Sequence, residues 1–76
     1  MIHYNDLEIG AVYKPTIKIH TTDYSHEITT DSCFIVLGKR EIQWVNKDIR
    51  CRLTIFYNDM KQILVMRHDM PLEKVV

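Results

Sequence analysis

Glycine and proline are scarce, with two of each in 76 residues. Gly10 and Gly38 are too far apart to build a glycine-rich phosphate loop, and a proline-rich or collagen-like chain is excluded. Net charge is missing as well. Ten basic and ten acidic side chains cancel, which excludes an acidic nucleic-acid mimic and a strongly basic tail. The longest uninterrupted apolar runs are Cys33–Leu37 and Ile63–Met66, far short of the ~20 residues of a membrane helix, so no membrane partner is expected. Cys33 and Cys51 are the only cysteines and do not form a Cys-x2-Cys pair. The opening Met1-Ile2-His3-Tyr4-Asn5-Asp6 lacks the basic then apolar regions of a secretory signal. The expected compartment is the cytoplasm, with both thiols reduced.

What is present is a globular composition, 46% apolar and 26% charged, in a chain the size of one small domain spanning residues 1–76. A chain this short buries only about 60% of its unfolded surface, so its stability margin is thin. The apolar pattern has a period of two. From residue 13 to residue 20 the odd positions Tyr13, Pro15, Ile17 and Ile19 alternate with Lys14, Thr16, Lys18 and His20, which predicts a half-buried strand. Pro15 cannot donate to a ladder and predicts an unpaired edge there. Residues 21–32 are polar apart from Tyr24 and Ile28 and read as a long loop, with a weak strand near His26 to Thr30.

The Cys33–Leu37 run is too short for a helix and rich in β-branched residues; it predicts a buried strand that Gly38 bends and that continues to Val45. Residues 49–57 give the cleanest alternation. Ile49, Cys51, Leu53, Ile55 and Tyr57 share one face, and Arg50, Arg52, Thr54 and Phe56 the other. This segment is expected to be the central strand, paired to residues 42–45 before it and 62–68 after it. Matching apolar to apolar sets Cys51 against Trp44 or Ile42, which buries Ile42 and Trp44 with Cys51, Leu53, Ile55, Leu64 and Met66. Asn58-Asp59-Met60-Lys61 reads as a four-residue turn that sets Tyr57 against Gln62. Residues 72–76 are too short for a stable independent helix and are expected to cap an open end.

Four or five strands with short turns predict an all-β fold: a small, strongly curved antiparallel sheet or a partly closed barrel of SH3-like or OB-like kind. Residues 7–13, Leu7-Glu8-Ile9-Gly10-Ala11-Val12-Tyr13, resemble the first turn and strand of SH3-like barrels.

Charge is unevenly placed. Residues 1–32 carry an excess of three negative charges and residues 38–52 an excess of three positive ones. Lys39, Arg40, Trp44, Lys47, Arg50 and Arg52 form a candidate binding patch, with Lys39, Gln43 and Val45 expected beside Arg50 and Arg52. The plainer interpretation is a solvated sheet face. Phe56, Ile63 and Val65 lie opposite the assigned core and form a candidate interface, covered by a second copy of the chain or by curling of the sheet.

His20, Asp23 and His26 suggest a metal, but the spacing matches no established zinc pattern, so no metal or other cofactor is expected. Ser25-His26-Glu27 is contiguous on what reads as extended chain, where neighbours point apart, and both cysteines lie in apolar runs. No catalytic residues are assigned and no enzyme is expected. The remaining expectation is a non-enzymatic interaction module. Its size and style match the short accessory proteins and inhibitors of bacteria and their phages, which bind and modulate a larger protein such as a host enzyme or defence complex. The alternative is a small nucleic-acid-binding barrel using residues 39–52.

Overall fold

The computed structural model describes residues 1–75. Apart from one 3-10 turn at Tyr4–Asp6, the regular structure is β: β1 (Ile2–His3), β2 (Val12–Pro15), β3 (Ile19–His20), β4 (Glu27–Ile28), β5 (Phe34–Gln43), β6 (Ile49–Tyr57), β7 (Met60–Met66), β8 (Asp69–Met70) and β9 (Leu72–Lys74). Five strands form one antiparallel sheet in the order β7-β6-β5-β2-β9. The pairs β1-β8 and β3-β4 form two small ladders beside it. Among the described residues the sheet does not close into a barrel. Its β7 edge is instead bridged at one point, where the backbone N–H and the Oγ1 of Thr22 both donate to the Ile63 carbonyl at 2.9 Å.

One side of the sheet holds the core. Tyr13, Phe34, Val36, Cys51, Leu53, Ile55, Leu64 and Leu72 are buried there together with Leu7, Ile28 and Met70 from the flanking segments. Tyr13 buries its ring completely, and its hydroxyl accepts from the Glu8 N–H at 2.9 Å, so the polar tip is satisfied.

The β6 bounds agree with the sequence pattern, but β5 is the middle strand and β6 lies beside it. The hairpin between them differs from both expected registers. Gln43 faces Ile49, Glu41 faces Cys51 and Lys39 faces Leu53, across a five-residue connection containing Asn46 and Lys47 at positive φ. The reason is a bulge in β5. Val36 pairs with Ile55 and Gly38 with Thr54, which leaves Leu37 as an extra residue. Upstream of it Phe34 and Val36 point into the core; downstream Lys39 and Glu41 take that side, and Arg40 and Ile42 point out. Ile42 and Trp44 are therefore not core residues, and Lys39 and Gln43 do not stand beside Arg50 and Arg52.

The inward charges are individually satisfied. Lys39 Nζ donates to the Tyr4 carbonyl at 2.7 Å and lies 4.6 Å from the centre of the Tyr4 ring. Glu41 sits 2.7 Å from His68 Nε2, which packs edge-on to Tyr4.

The β6–β7 hairpin keeps the expected faces but slips by two residues. Tyr57 pairs with Met60 across Asn58-Asp59, both at positive φ, the signature of a two-residue hairpin turn. The strand expected over residues 13–20 breaks after Pro15, leaving Ile17 exposed. At Pro15 only β9 pairs with β2, since the β5 ladder reaches Val12 and Tyr13 alone, so the missing donor costs no bond. Residues 72–74 form an edge strand on β2 rather than a cap, with Leu72 buried; Val76 lies outside the described residues. Cys33 precedes β5 and is exposed, not part of an apolar strand.

Candidate functional site

The side of β5, β6 and β7 away from the core carries most of the side chains singled out from the sequence. On β6, Arg50, Arg52, Thr54 and Phe56 project there. On β7, Lys61, Ile63 and Val65 stand opposite Phe56, Thr54 and Arg52; on β5, Arg40 and Ile42 stand opposite Arg52 and Arg50. Phe56, Ile63 and Val65 lie outside the core cluster, and Phe56 is exposed. Trp44, in the connection after β5, is 45% exposed at the end of this face. Lys39 is turned to the other side, and Lys47 sits at the tip of the connection.

The cations differ in how they are held. Nε and one terminal nitrogen of Arg50 both contact Asp48 Oδ2 at 2.7 Å, so its charge is internally compensated. Arg40 and Arg52 face each other directly across β5 and β6, and neither makes an ion pair among the described residues. Like charges at directly opposed positions destabilise a sheet. Lys61, on the same face, also lacks a carboxylate partner among the described residues.

A groove of about 640 Å3 crosses this face. Ile42, Trp44, Ile63 and Val65 give it an apolar lining, Arg52 and Lys61 supply cations, and Thr22 and Asp23 form part of its rim. A second depression of about 540 Å3 also touches Thr22, Trp44 and Val65, with Arg50, Arg67 and Asp69 around it.

The polar loop is clamped by its own side chains. Asp23 Oδ1 accepts from Thr21 Oγ1 at 2.8 Å, the Ser25 N–H at 3.0 Å and Ser25 Oγ at 2.7 Å. These donors hold the Asp23 carboxyl down at about 2. The turn brings Ser25 Oγ to 2.9 Å from His26 Nδ1, a contact that extended chain would not make. Because the Ser25 hydroxyl proton is directed at Asp23, His26 is not placed to remove it. His20 lies instead 3.4 Å from Glu27, so His20, Asp23 and His26 do not converge, and no group of three such side chains among the described residues is arranged to hold a metal. Burial, and after it the Glu41 charge, pushes the Cys51 thiol up, so at neutral pH it is not a thiolate nucleophile.

Sequence reasoning missed Lys61 and Thr22. The four-residue turn expected from the sequence contains Lys61; the Asn58-Asp59 dipeptide is the signal for a shorter connection that puts Lys61 in the strand. Thr22 carried no sequence signal. Comparison with known protein families, curated proteins and solved structures finds no match for this chain.

Proposed function

We propose that this protein is a non-enzymatic cytoplasmic interaction module that binds and modulates a larger protein through the outer face of β5, β6 and β7. Short accessory proteins and inhibitors of bacteria and phages work in this style. The observation that carries the reading is the opposed pair Arg40 and Arg52, uncompensated by any carboxylate among the described residues, on the same face as Trp44, Ile42, Ile63 and Val65. Such a pair costs the isolated fold stability, and an acidic partner relieves it. Tryptophan and arginine around an apolar centre are the residue types that dominate interface energetics. The curved sheet, with Thr22 bridging to Ile63, is read with this proposal as a partly closed barrel of SH3-like or OB-like kind.

Nucleic-acid binding is the second reading, favoured by the exposed indole of Trp44 beside Arg52, a pairing able to stack a base and contact a backbone. The groove has no aromatic ring besides Trp44, and Ile42, Ile63 and Val65 give it an aliphatic floor beside Arg52 and Lys61, which suits a protein ligand better.

Affinity capture from a host lysate tests the two. Wild-type bait should retain a nuclease-insensitive protein that is lost on an Arg40→Glu/Arg52→Glu bait of unchanged circular dichroism. Retention that disappears with nuclease treatment, or no specific retention, refutes the proposal. A second copy of the chain is the other cover for Phe56, Ile63 and Val65. Sedimentation distinguishes it, because a dimer that Val65→Lys converts to a folded monomer assigns the face to self-association.

A further inference from the structure

Resting on that reading, we infer that the partner presents a short linear segment with carboxylates at both ends and an apolar residue between them, seated in a trough centred on Trp44. The two depressions share Thr22, Trp44 and Val65, so they adjoin at the indole as two arms of one trough, the larger on the outer face and the smaller reaching Ile19, Asp69 and Pro71. The centre is apolar, formed by Trp44 and Val65 and continued by Ile42 and Ile63 in the larger arm. Each arm holds a cation without an ion-pair partner among the described residues: Arg52 with Lys61 in the larger, Arg67 in the smaller. Arg50 also borders the smaller arm but is already compensated by Asp48.

Two carboxylates border the trough. Asp23, fully ionised, faces two cations in the larger arm, and Asp69 stands in the smaller arm without an ion pair to Arg67. Unpaired cations nonetheless flank the apolar centre on both sides, and the complement of that order is anion, apolar, anion. Arms of about 540 and 640 Å3 match the size of pockets that take small ligands, which suits a few side chains of a linear segment rather than a folded domain. A nucleic-acid strand fits less well, because successive bases need successive aromatic platforms, and the larger arm holds Trp44 alone, with His20 and Tyr24 together in the smaller.

Trp44 is the sole tryptophan, so its emission reports occupancy directly. The full-length protein is titrated with an acetylated, amidated hexapeptide of two leucines between pairs of glutamates. Its lysine-for-glutamate and serine-for-leucine counterparts and a short oligothymidylate are titrated in parallel. The acidic leucine peptide should shift Trp44 emission saturably. Both counterparts, and the acidic peptide on Arg52→Glu and on Arg67→Glu, should bind at least about tenfold more weakly. Far-UV circular dichroism confirms that each variant is folded.

Unchanged Trp44 emission with the acidic peptide overturns the inference. So does binding that both variants retain, or oligothymidylate binding more tightly than the peptide. If the peptide fails while a protein is still captured by wild-type bait and lost on Arg40→Glu/Arg52→Glu, the linear segment is wrong and the interaction-module reading stands. If neither binds, both fall.

Discussion

Gln62 should be a weak point of the fold, and replacing it with methionine should strengthen the protein. Gln62 pairs with Ile55 in the β6–β7 ladder, on the core side of the sheet, and is only 7% exposed. Its Nε2 is buried and finds no hydrogen-bond acceptor among the described residues. Leaving a buried donor unsatisfied costs about 1–3 kcal/mol, the desolvation that a hydrogen bond would have offset. Methionine has nearly the same length and flexibility, so Gln62→Met removes the amide without opening a cavity or overfilling the site. The expected gain is about 1–2 kcal/mol. Against the roughly 4–11 kcal/mol typical of a chain this size, that is a large fraction. It corresponds to a rise in Tm of about 4–8 °C per kcal/mol for a domain of this length. Urea denaturation should show a higher midpoint with an unchanged slope, since the surface exposed on unfolding is the same. An unchanged or lowered midpoint refutes the reasoning, because the amide must then have a partner in solution that methionine cannot replace.

Leu53→Ala should cost about 2–5 kcal/mol in the same assay, because Leu53 is wholly buried between Lys39 and Leu64 in the β5–β6–β7 ladders. A loss below about 1 kcal/mol would contradict its core position. An aromatic disulfide reagent should modify Cys33 in the native protein and reach Cys51 only on unfolding; equal rates for both thiols would show that Cys51 is accessible. Asp23 should titrate at about 2 by carbon-detected NMR. Its folded-state value is depressed, so its contribution to the loop is full above the ordinary carboxylate value of 3.8 and is lost as pH falls through about 2. A midpoint at or above 3.8 would mean that the Thr21 and Ser25 bonds do not persist in solution.

How much of this was readable from the residues depended on whether alternation ran unbroken. Ile49 to Tyr57 alternates without interruption, so both the bounds and the faces of β6 could be read directly. β7 does not alternate, since Ile63 to Met66 is one apolar run, and its faces follow from pairing with β6; a slip of two residues leaves every side chain on its own side. In β5 the matching across the hairpin misleads. Setting Ile42 and Trp44 against Cys51 and Leu53 places them inside, and the extra residue at Leu37 turns them out. Apolar-to-apolar matching cannot detect this, because it allows no charge on the core side, whereas Lys39 and Glu41 find Tyr4 and His68 there from segments distant in sequence. Arg50 and Arg52 were placed on the outer face by the β6 pattern alone, whereas Arg40 and Trp44 reached it through the bulge.

That bulge also governs how the protein can change over evolutionary time. Substitution can tune Arg40, Ile42 or Trp44 one at a time while each stays on the outside. Loss of a single codon at Leu37 would act on all of them together. The continuous ladder would bring Arg40, Ile42 and Trp44 to the side of Leu53 and Cys51 and expel Lys39 and Glu41 from their contacts with Tyr4 and His68. The length of β5 is therefore expected to be fixed among descendants of this sequence even where its composition drifts, with insertions and deletions tolerated instead in the connections at residues 45–47 and 29–33.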